Sequence, residues 1–197
     1  MSRRRFRYVV PLVLALSLVG TSLALAGSGA KRGHGPNSNA NTFSARLSGH
    51  QEAPAVHSKG AGQLKLTLTD NDTKFSYELT FSGLSGNATL AHIHFAQPNV
   101  SGAVIVDLCG VPGKPACPAA QSGTVSGTFT GADVKAVQGF TASDLAGFVE
   151  ELRAGFMYVN VHTTAVGSGE IRGQIYGDRG KHHGRGHGHG HDDDDDD

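Results

Sequence analysis

The chain has 197 residues, and its 17 Lys and Arg balance its 17 Asp and Glu, so its formal net charge at neutral pH is zero. It has no tryptophan, and beyond its first residues it carries no basic groove and no Lys or Arg clusters interleaved with aromatics, which argues against a nucleic-acid partner. A chain of this length is long enough for one domain, whose core is predicted to consist of Val, Leu, Ile and Phe.

The first 26 residues have the pattern of a secretory signal peptide. Four arginines precede an apolar run from Val9 to Ala26 that ends in small residues. The alternative is a membrane anchor, but Pro11, Gly20 and the small-residue exit favour cleavage after Ala26. We therefore expect an exported protein, periplasmic or at the cell surface, with no stable membrane span after cleavage. The export route, general or twin-arginine, stays open.

Residues 27–41 are predicted to be a disordered linker, because they are mostly Gly, Ser, Asn, Lys and Arg with little to bury. From Phe43 onward, apolar and polar residues alternate with period two, which predicts strands. Eight short strands are expected, at 43–47, 63–69, 75–81, 90–95, 103–108, 123–130, 156–162 and 170–176. Their number and spacing predict an all-β fold, either a Greek-key or immunoglobulin-like sandwich or a barrel.

One short helix interrupts the predicted strands. Its apolar residues recur at helical spacing: Leu145, Phe148, Val149 and Leu152. Either Thr141 or Ser143 is expected as the N-cap, and Gly155 lies just past the end. The apolar face is predicted to cover an open end or edge of the sheet, with Asp144 on the solvated face.

Cys109 and Cys117 are the two cysteines of the chain and flank a loop rich in Gly and Pro. In an oxidising compartment such a pair is most simply one disulfide, and the spacing does not match a zinc-binding pair. We expect a disulfide that staples a surface loop.

Three histidines lie in two segments with strand patterns. His92 and His94 are two residues apart, so they share one face of a strand, and His162 shares a face with Asn160 on another. Neutral imidazole is the commonest protein ligand for transition metals, and three converging rings with one open position describe a reactive site. The sequence therefore predicts a metal site at His92, His94 and His162.

Three further polar residues are predicted to support the histidines: Asn160, Glu170 and Arg172. An amide or carboxylate accepts the distal ring N–H, and the arginine holds the carboxylate. The alternative for Glu170 and Arg172 is a salt bridge with hydrogen bonds at a strand end.

The last residues, 178–197, form a low-complexity segment of alternating Gly and His followed by six aspartates, and are predicted to be a disordered tail. Its histidines are candidates for metal capture: His182, His183, His187, His189 and His191. The alternative is a solubilising tail whose histidines bind nothing specific.

Four segments, taken in order, resemble the CHRD domain, the module named for chordin. They are residues 47–56 (LSGHQEAPAV), 91–94 (AHIH), 158–163 (YVNVHT) and 169–174 (GEIRGQ). The resemblance places the domain at 42–177 and implies an immunoglobulin-like or Greek-key β fold in an exported bacterial protein with a single domain. It implies no settled biochemical activity.

The interpretation is an exported CHRD-domain protein that binds copper or zinc through its histidine cluster, because imidazole ligands without thiolates favour these metals over calcium or magnesium. Two alternatives stay open. One is a copper-dependent enzyme, loosely similar to the copper-zinc superoxide dismutases, which hold copper partly through a His-x-His strand. The other is a non-enzymatic structural or surface-interaction module whose histidines pack and hydrogen-bond.

Overall fold

The computed structural model describes residues 40–69 and 71–178. The predicted signal peptide lies outside these residues, as do the five tail histidines and most of the predicted linker. No helix in the described part of the chain is long and apolar enough to cross a membrane.

In residues 40–69 and 71–178, nine strands form one antiparallel sheet that curls into a nearly closed barrel. They are β1 (Thr42–Ser48), β2 (Ala61–Thr69), β3 (Lys74–Ser82), β4 (Ala88–Phe95), β5 (Val104–Cys109), β6 (Gly123–Thr130), β7 (Met157–Thr163), β8 (Ile171–Gln174) and β9 (Tyr176–Gly177). The order in the sheet is β5-β4-β7-β8-β1-β2-β3-β6, and β9 pairs with β1. The predicted all-β fold with one helix is confirmed, with the barrel as its form.

The last predicted strand, 170–176, is divided in two in the structure. Residues up to Gln174 pair mainly with β7, whereas Tyr176 and Gly177 pair with β1. Ile175 lies between the two strands, fully buried, and its N–H donates to the carbonyl of Met157 at 2.9 Å. The chain therefore changes partner strand at a buried residue, which an alternating pattern does not reveal.

A side chain joins the edge strand β5 to β3, which lies next to the opposite edge strand, β6. The hydroxyl group of Tyr77 on β3 donates a hydrogen bond to the carbonyl of Leu108 on β5. Burial, together with the charge of Asp133, raises the pKa of Tyr77 to about 12, so the phenol stays a donor at physiological pH. Cys109 at the end of β5 lies at disulfide-bonding distance from Cys117, as predicted.

A cluster of aromatic rings fills part of the barrel. Phe75 stacks on Phe129 with ring centroids 4.9 Å apart, and Phe148 meets both edge-on at 5.6 and 5.5 Å. Phe148 belongs to the helix α1 (Leu145–Ala154), whose buried residues also include Val149 and Leu152. The helix thus packs its apolar face against the barrel core.

The N-cap of α1 is Asp144, so the predicted cap at Thr141 or Ser143 is wrong. The Asp144 carboxylate accepts a hydrogen bond from the N–H of Gly147 at 2.9 Å. Ser143 has a left-handed backbone, with φ of 68°, whereas Asp144 has the negative φ, −78°, that is usual at an N-cap. At the other end Gly155, with φ of 84°, terminates the helix as expected.

Replacing Asp144 with Ala is expected to lower the free energy of unfolding by about 1 kcal/mol, because the N–H of Gly147 in the first turn loses its acceptor. Chemical denaturation measures the change. Thr141→Ala is the matched control and is expected to stay within about 0.5 kcal/mol of the wild-type value. Equal losses in the two variants would contradict the assignment of the cap.

Candidate metal centre

The face of β4 and β7 that points away from the core carries polar side chains. Ile93 and Val159 are fully buried in the core, and because side chains alternate along a strand, their neighbours point the opposite way. Those neighbours include His92, His94 and Asn160. The apolar residues that build the barrel therefore place the candidate ligands together on its outer face.

Cross-strand pairing aligns these residues in one row. His92 pairs with Asp107 of β5 on one side and with Asn160 of β7 on the other, and Asn160 pairs in turn with Arg172 of β8. His162 lies two residues beyond Asn160 and so shares its face. The register, which no single strand determines, brings the distant segments into contact.

Two connections cover this outer face: residues 49–60 between β1 and β2, and residues 96–103 between β4 and β5. Ser101 Oγ donates to the carbonyl of Ala53 at 3.0 Å and joins the two connections. Under this cover both histidines of β4 are only 8% exposed. The site is a polar pocket that is buried at His92 and His94 and partly exposed at His162.

The rings of His92, His94 and His162 converge. One ring nitrogen of each lies within 4.8 Å of those of the other two. His92 Nδ1 is 3.2 Å from His162 Nε2. Two nitrogens bound to one tetrahedral metal ion at about 2.0–2.1 Å lie about 3.3–3.4 Å apart, so this pair already has the spacing of two ligands. The structure thus brings together the three histidines that the sequence singled out.

Backbone carbonyls orient two of the rings. His94 Nδ1 lies 3.0 Å from the oxygen of Gly102, and His162 Nδ1 lies 3.0 Å from the oxygen of Gly167. Because a carbonyl oxygen only accepts, each Nδ1 is the ring's donor. In a neutral ring this leaves a bare lone pair on Nε2, which is the form that binds a metal ion.

A carboxylate lies near the outer nitrogen of the third ring, beyond hydrogen-bond distance. Asp107 Oδ1 is 3.7 Å from His92 Nε2, and Lys135 Nζ lies 2.9 and 2.8 Å from the two Asp107 oxygens. The negative charge favours a proton on Nε2 and leaves Nδ1 free to face His162. Each of the three rings therefore has an acceptor beside its outer nitrogen.

Burial keeps the two histidines of β4 neutral. Burial, together with the nearby histidines, lowers the pKa of His92 to about 4, although Asp107 partly opposes the shift. Burial also lowers the pKa of His94, although the Gly102 carbonyl and Asn160, which would both accept hydrogen bonds from the protonated ring, partly oppose it. Near pH 7 these rings do not have to lose a proton before they bind a metal ion.

Asn160 lies between two of the inner nitrogens. Its Oδ1 is 3.0 Å from His94 Nε2 and 3.2 Å from His162 Nε2. The sequence predicts that Asn160 accepts the distal ring N–H, but the distal nitrogens face backbone carbonyls, and Asn160 faces the nitrogens that converge. Asn160 therefore lies nearer to the point on which the three rings converge than the sequence analysis expects.

Tyr158 and Arg172 stack beside His94. The Tyr158 ring lies parallel to the His94 ring, with centroids 4.6 Å apart, and the Arg172 guanidinium carbon is 3.4 Å from the Tyr158 centroid. Arg172 is only 2% exposed and donates to the carbonyl of Gln97. The stack restricts the orientation of the His94 ring and brings a buried positive charge close to the pocket.

Glu170 is fully buried, and its hydrogen bonds connect loops rather than the histidine rings. Its carboxylate accepts from Ser58 Oγ at 2.6 Å, from Ser85 N–H at 2.7 Å, from Ser85 Oγ at 2.8 Å and from Thr163 Oγ1 at 2.7 Å. Burial acts to raise the pKa of Glu170, but these bonds outweigh it and hold the pKa below its usual range. These contacts connect residues 49–60, the first of the two connections that cover the outer face, to the sheet.

Glu52 lies in the pocket, although the sequence analysis does not select it. Its Oε1 is buried without a hydrogen-bond partner among the described residues. Burial raises the pKa of Glu52 to about 7, with partial opposition from the charge of Arg172 and from hydrogen bonds to Ala53 and Asn160. A Cβ added to Gly169 would lie 2.7 Å from Glu52 Oε1 and 2.8 Å from Asn160 Nδ2, so these groups are closely packed.

The two carboxylates that the sequence analysis missed carried weak signals. Glu52 lies within the segment 47–56 that carries the family resemblance. Asp107 is the single acidic residue of an otherwise apolar strand, β5. Glu52 lies near the histidines because of how the connection 49–60 folds, and Asp107 lies near them because of the β4–β5 register. Neither feature follows from the local sequence pattern.

Comparison with known families agrees with these segments. A family model, the CHRD domain, matches residues 43–175, which is more than half of the chain. The chain belongs to the CHRD domain family. The predicted resemblance is thereby confirmed, and the matched range of this CHRD domain includes all three histidines. Neither the curated proteins nor the solved structures gave a match.

Replacing Glu52 with Gln is expected to change how the stability of metal-free protein depends on pH. The folded-state pKa of about 7 lies above the ordinary 4.5, so wild-type stability falls as the pH rises through this range. Gln cannot ionise, so the variant lacks this loss. Between about pH 5 and about pH 8, its free energy of unfolding should rise relative to wild type by about 1–2 kcal/mol, because Glu52 is partly exposed and solvent screens its charge.

Urea denaturation of both proteins, treated with chelator, measures this difference at each pH. Groups that titrate alike in the two proteins cancel in the comparison. Parallel curves for the two proteins would contradict a carboxyl whose ionisation is suppressed by burial.

Gly169→Ala is expected to destabilise the protein by about 2 kcal/mol or more, because φ is 118° at this position and the new Cβ would collide with Glu52 and Asn160. Gly167→Ala is the matched control from the same loop, since an added Cβ there meets nothing within 4 Å. Thermal unfolding measures both changes. A similar loss in the control would show that the loop backbone, rather than the pocket, carries the effect.

Proposed function

We propose that this CHRD-domain protein is exported and binds one transition-metal ion, copper or zinc, through His92, His94 and His162. The observation that carries the proposal is the convergence of one nitrogen from each ring to within 4.8 Å of the others. Three rings that share a point, each with an acceptor beside its outer nitrogen, are arranged as metal ligands usually are.

Packing and hydrogen bonding explain the arrangement less well than metal binding does. His94 and His162 direct their N–H groups to carbonyls, so their bare nitrogens both face Asn160 Oδ1, which is itself an acceptor. Polar atoms buried without a suitable partner are costly. A positive ion at this point is attracted to every atom that faces it.

The donor set favours copper or zinc. Imidazole nitrogens suit zinc, copper, iron and nickel, and the general order of affinities places copper highest among divalent ions. Calcium and magnesium prefer oxygen ligands in larger numbers. Availability in the cell, rather than affinity alone, selects between copper and zinc.

Export is supported by the cysteine pair and by the amino-terminal pattern. The sulfur atoms of Cys109 and Cys117 are at bonding distance, and disulfides persist in oxidising compartments. The arginines and apolar run of residues 1–26 are typical of a signal peptide. In an exported protein, the histidines of the tail would capture metal ions and raise their concentration near the buried site.

Metal titration tests the proposal. The starting protein is the full chain with all five tail histidines replaced by Ser, which we name the tail-substituted protein. It is expected to bind about one equivalent of Zn²⁺ or Cu²⁺. His92→Ala and His162→Ala should weaken binding by more than the roughly 10- to 100-fold that loss of an outer partner causes. Calorimetry with a competing chelator measures these affinities.

His57→Ala is the matched control, since His57 is exposed and outside the cluster. It is expected to bind metal as the tail-substituted protein does. Binding that survives in His92→Ala and His162→Ala would exclude the cluster as the site and favour a structural module.

A further inference from the structure

We propose that Asn160 Oδ1 is the fourth ligand of the metal ion, so that the centre is closed by three histidines and one asparagine. This inference rests on the proposed function, because it requires a metal ion at the histidine cluster. It assigns Asn160 a place at the ion itself instead of a supporting role around the histidines.

The distances around Asn160 match those between ligands. Its Oδ1 is 3.0 Å from His94 Nε2 and 3.2 Å from His162 Nε2, and His162 Nε2 is 3.2 Å from His92 Nδ1. Ligands of a tetrahedral ion with bonds of about 2.0–2.1 Å are separated by about 3.3–3.4 Å. Three of the six edges of such a tetrahedron are thus within a few tenths of an ångström of that separation.

The proton positions also indicate a ligand rather than a hydrogen-bond acceptor. Because His94 and His162 donate from Nδ1 to carbonyls, their Nε2 atoms offer lone pairs to Asn160 Oδ1, which offers lone pairs in return. Facing acceptors at 3.0 and 3.2 Å repel each other. A cation placed between them converts both repulsions into attractions, with no change of ring or amide orientation.

The Asn160 amide is held in the required orientation by its other end. Asn160 is only 3% exposed, and its Nδ2 lies near the Glu52 carboxyl. Asn160 Nδ2 and Glu52 Oε1 both lie beside Gly169, because a Cβ built on Gly169 would be 2.8 Å from the first atom and 2.7 Å from the second. Carboxyl oxygens attract N–H groups, so the nearness of Glu52 to Nδ2 favours the amide orientation in which Oδ1 is directed at the histidines.

A closed centre limits what the bound ion can do. Three imidazoles and an amide oxygen contain no soft sulfur donor, so the set favours Zn²⁺ or Cu²⁺ over Cu⁺. A small anion reaches the ion only if it displaces Asn160 or adds a fifth ligand. The centre therefore suits retention of a metal ion better than dismutation of superoxide, which needs an open position.

Azide binding to the cobalt-loaded protein tests this assignment, since Co²⁺ reports changes of coordination in its visible spectrum. The tail-substituted protein is compared with the same protein carrying Asn160→Ala or Asn160→Ser. Azide is expected to leave the starting spectrum unchanged and to shift the bands of both variants, in which water takes the fourth position. Cobalt affinity should fall in the variants by more than the roughly 10- to 100-fold that loss of an outer partner causes.

Gln174→Ala is the matched control, because Gln174 is another buried side-chain amide on the outer face and donates to the carbonyls of Ala96 and Gly155. It is expected to remain insensitive to azide. The inference is overturned if azide shifts the starting protein as strongly as the Asn160 variants, or if those variants keep both affinity and spectrum. Should the variants not fold, the azide titration of the starting protein decides alone.

The two proposals fail in different ways. A starting protein that takes up no metal overturns both the proposed function and the role of Asn160. A starting protein that binds one cobalt ion at the histidines, yet binds azide readily, retains the proposed function and excludes Asn160 as the fourth ligand.

Discussion

The strict alternation of side chains on β4 and β7 is the constraint on which the site depends. Ile93 and Val159 must enter the apolar core, and burial of such residues is the main favourable contribution to folding. Their neighbours His92, His94 and Asn160 are consequently forced to the outer face. The same burial that stabilises the barrel therefore aligns the candidate ligands, and a one-residue shift of register would separate them.

The outer pocket contains several polar groups that are buried without suitable hydrogen-bond partners, which lowers the stability of the fold. Bare ring nitrogens face an amide oxygen, Glu52 Oε1 has no partner among the described residues, and Arg172 is buried against an aromatic ring. Natural proteins place such local conflicts at functional sites, where the rest of the fold offsets them. Here the aromatic cluster around Phe75 and the continuous sheet supply that stability. The protein therefore tolerates polar atoms in the pocket that lack hydrogen-bond partners when no cation is bound.

Glu170 and Glu52 show how far sequence reasoning about the site reaches. Both lie within segments that carry the family resemblance, and Glu170 is the one that strand periodicity places near Arg172. In the structure Glu170 joins loops through Ser58, Ser85 and Thr163, whereas Glu52 enters the pocket from an irregular connection. Side-chain direction follows from sequence inside a regular strand, but a connection has no period from which its direction can be calculated.

The sequence alone determined the all-β class, most strand positions, the helix, the cysteine pair, the family and the three histidines, because alternation, helical spacing and ordered motifs are local properties. Only the tertiary structure decided that the sheet closes as a barrel, that Asn160 faces the inner nitrogens, and that Asp107 and Glu52 flank the site. The physical reason is that these relations depend on register between distant strands and on how connections pack over the sheet. Both are set by the joint burial of residues far apart in the chain, which no local pattern records.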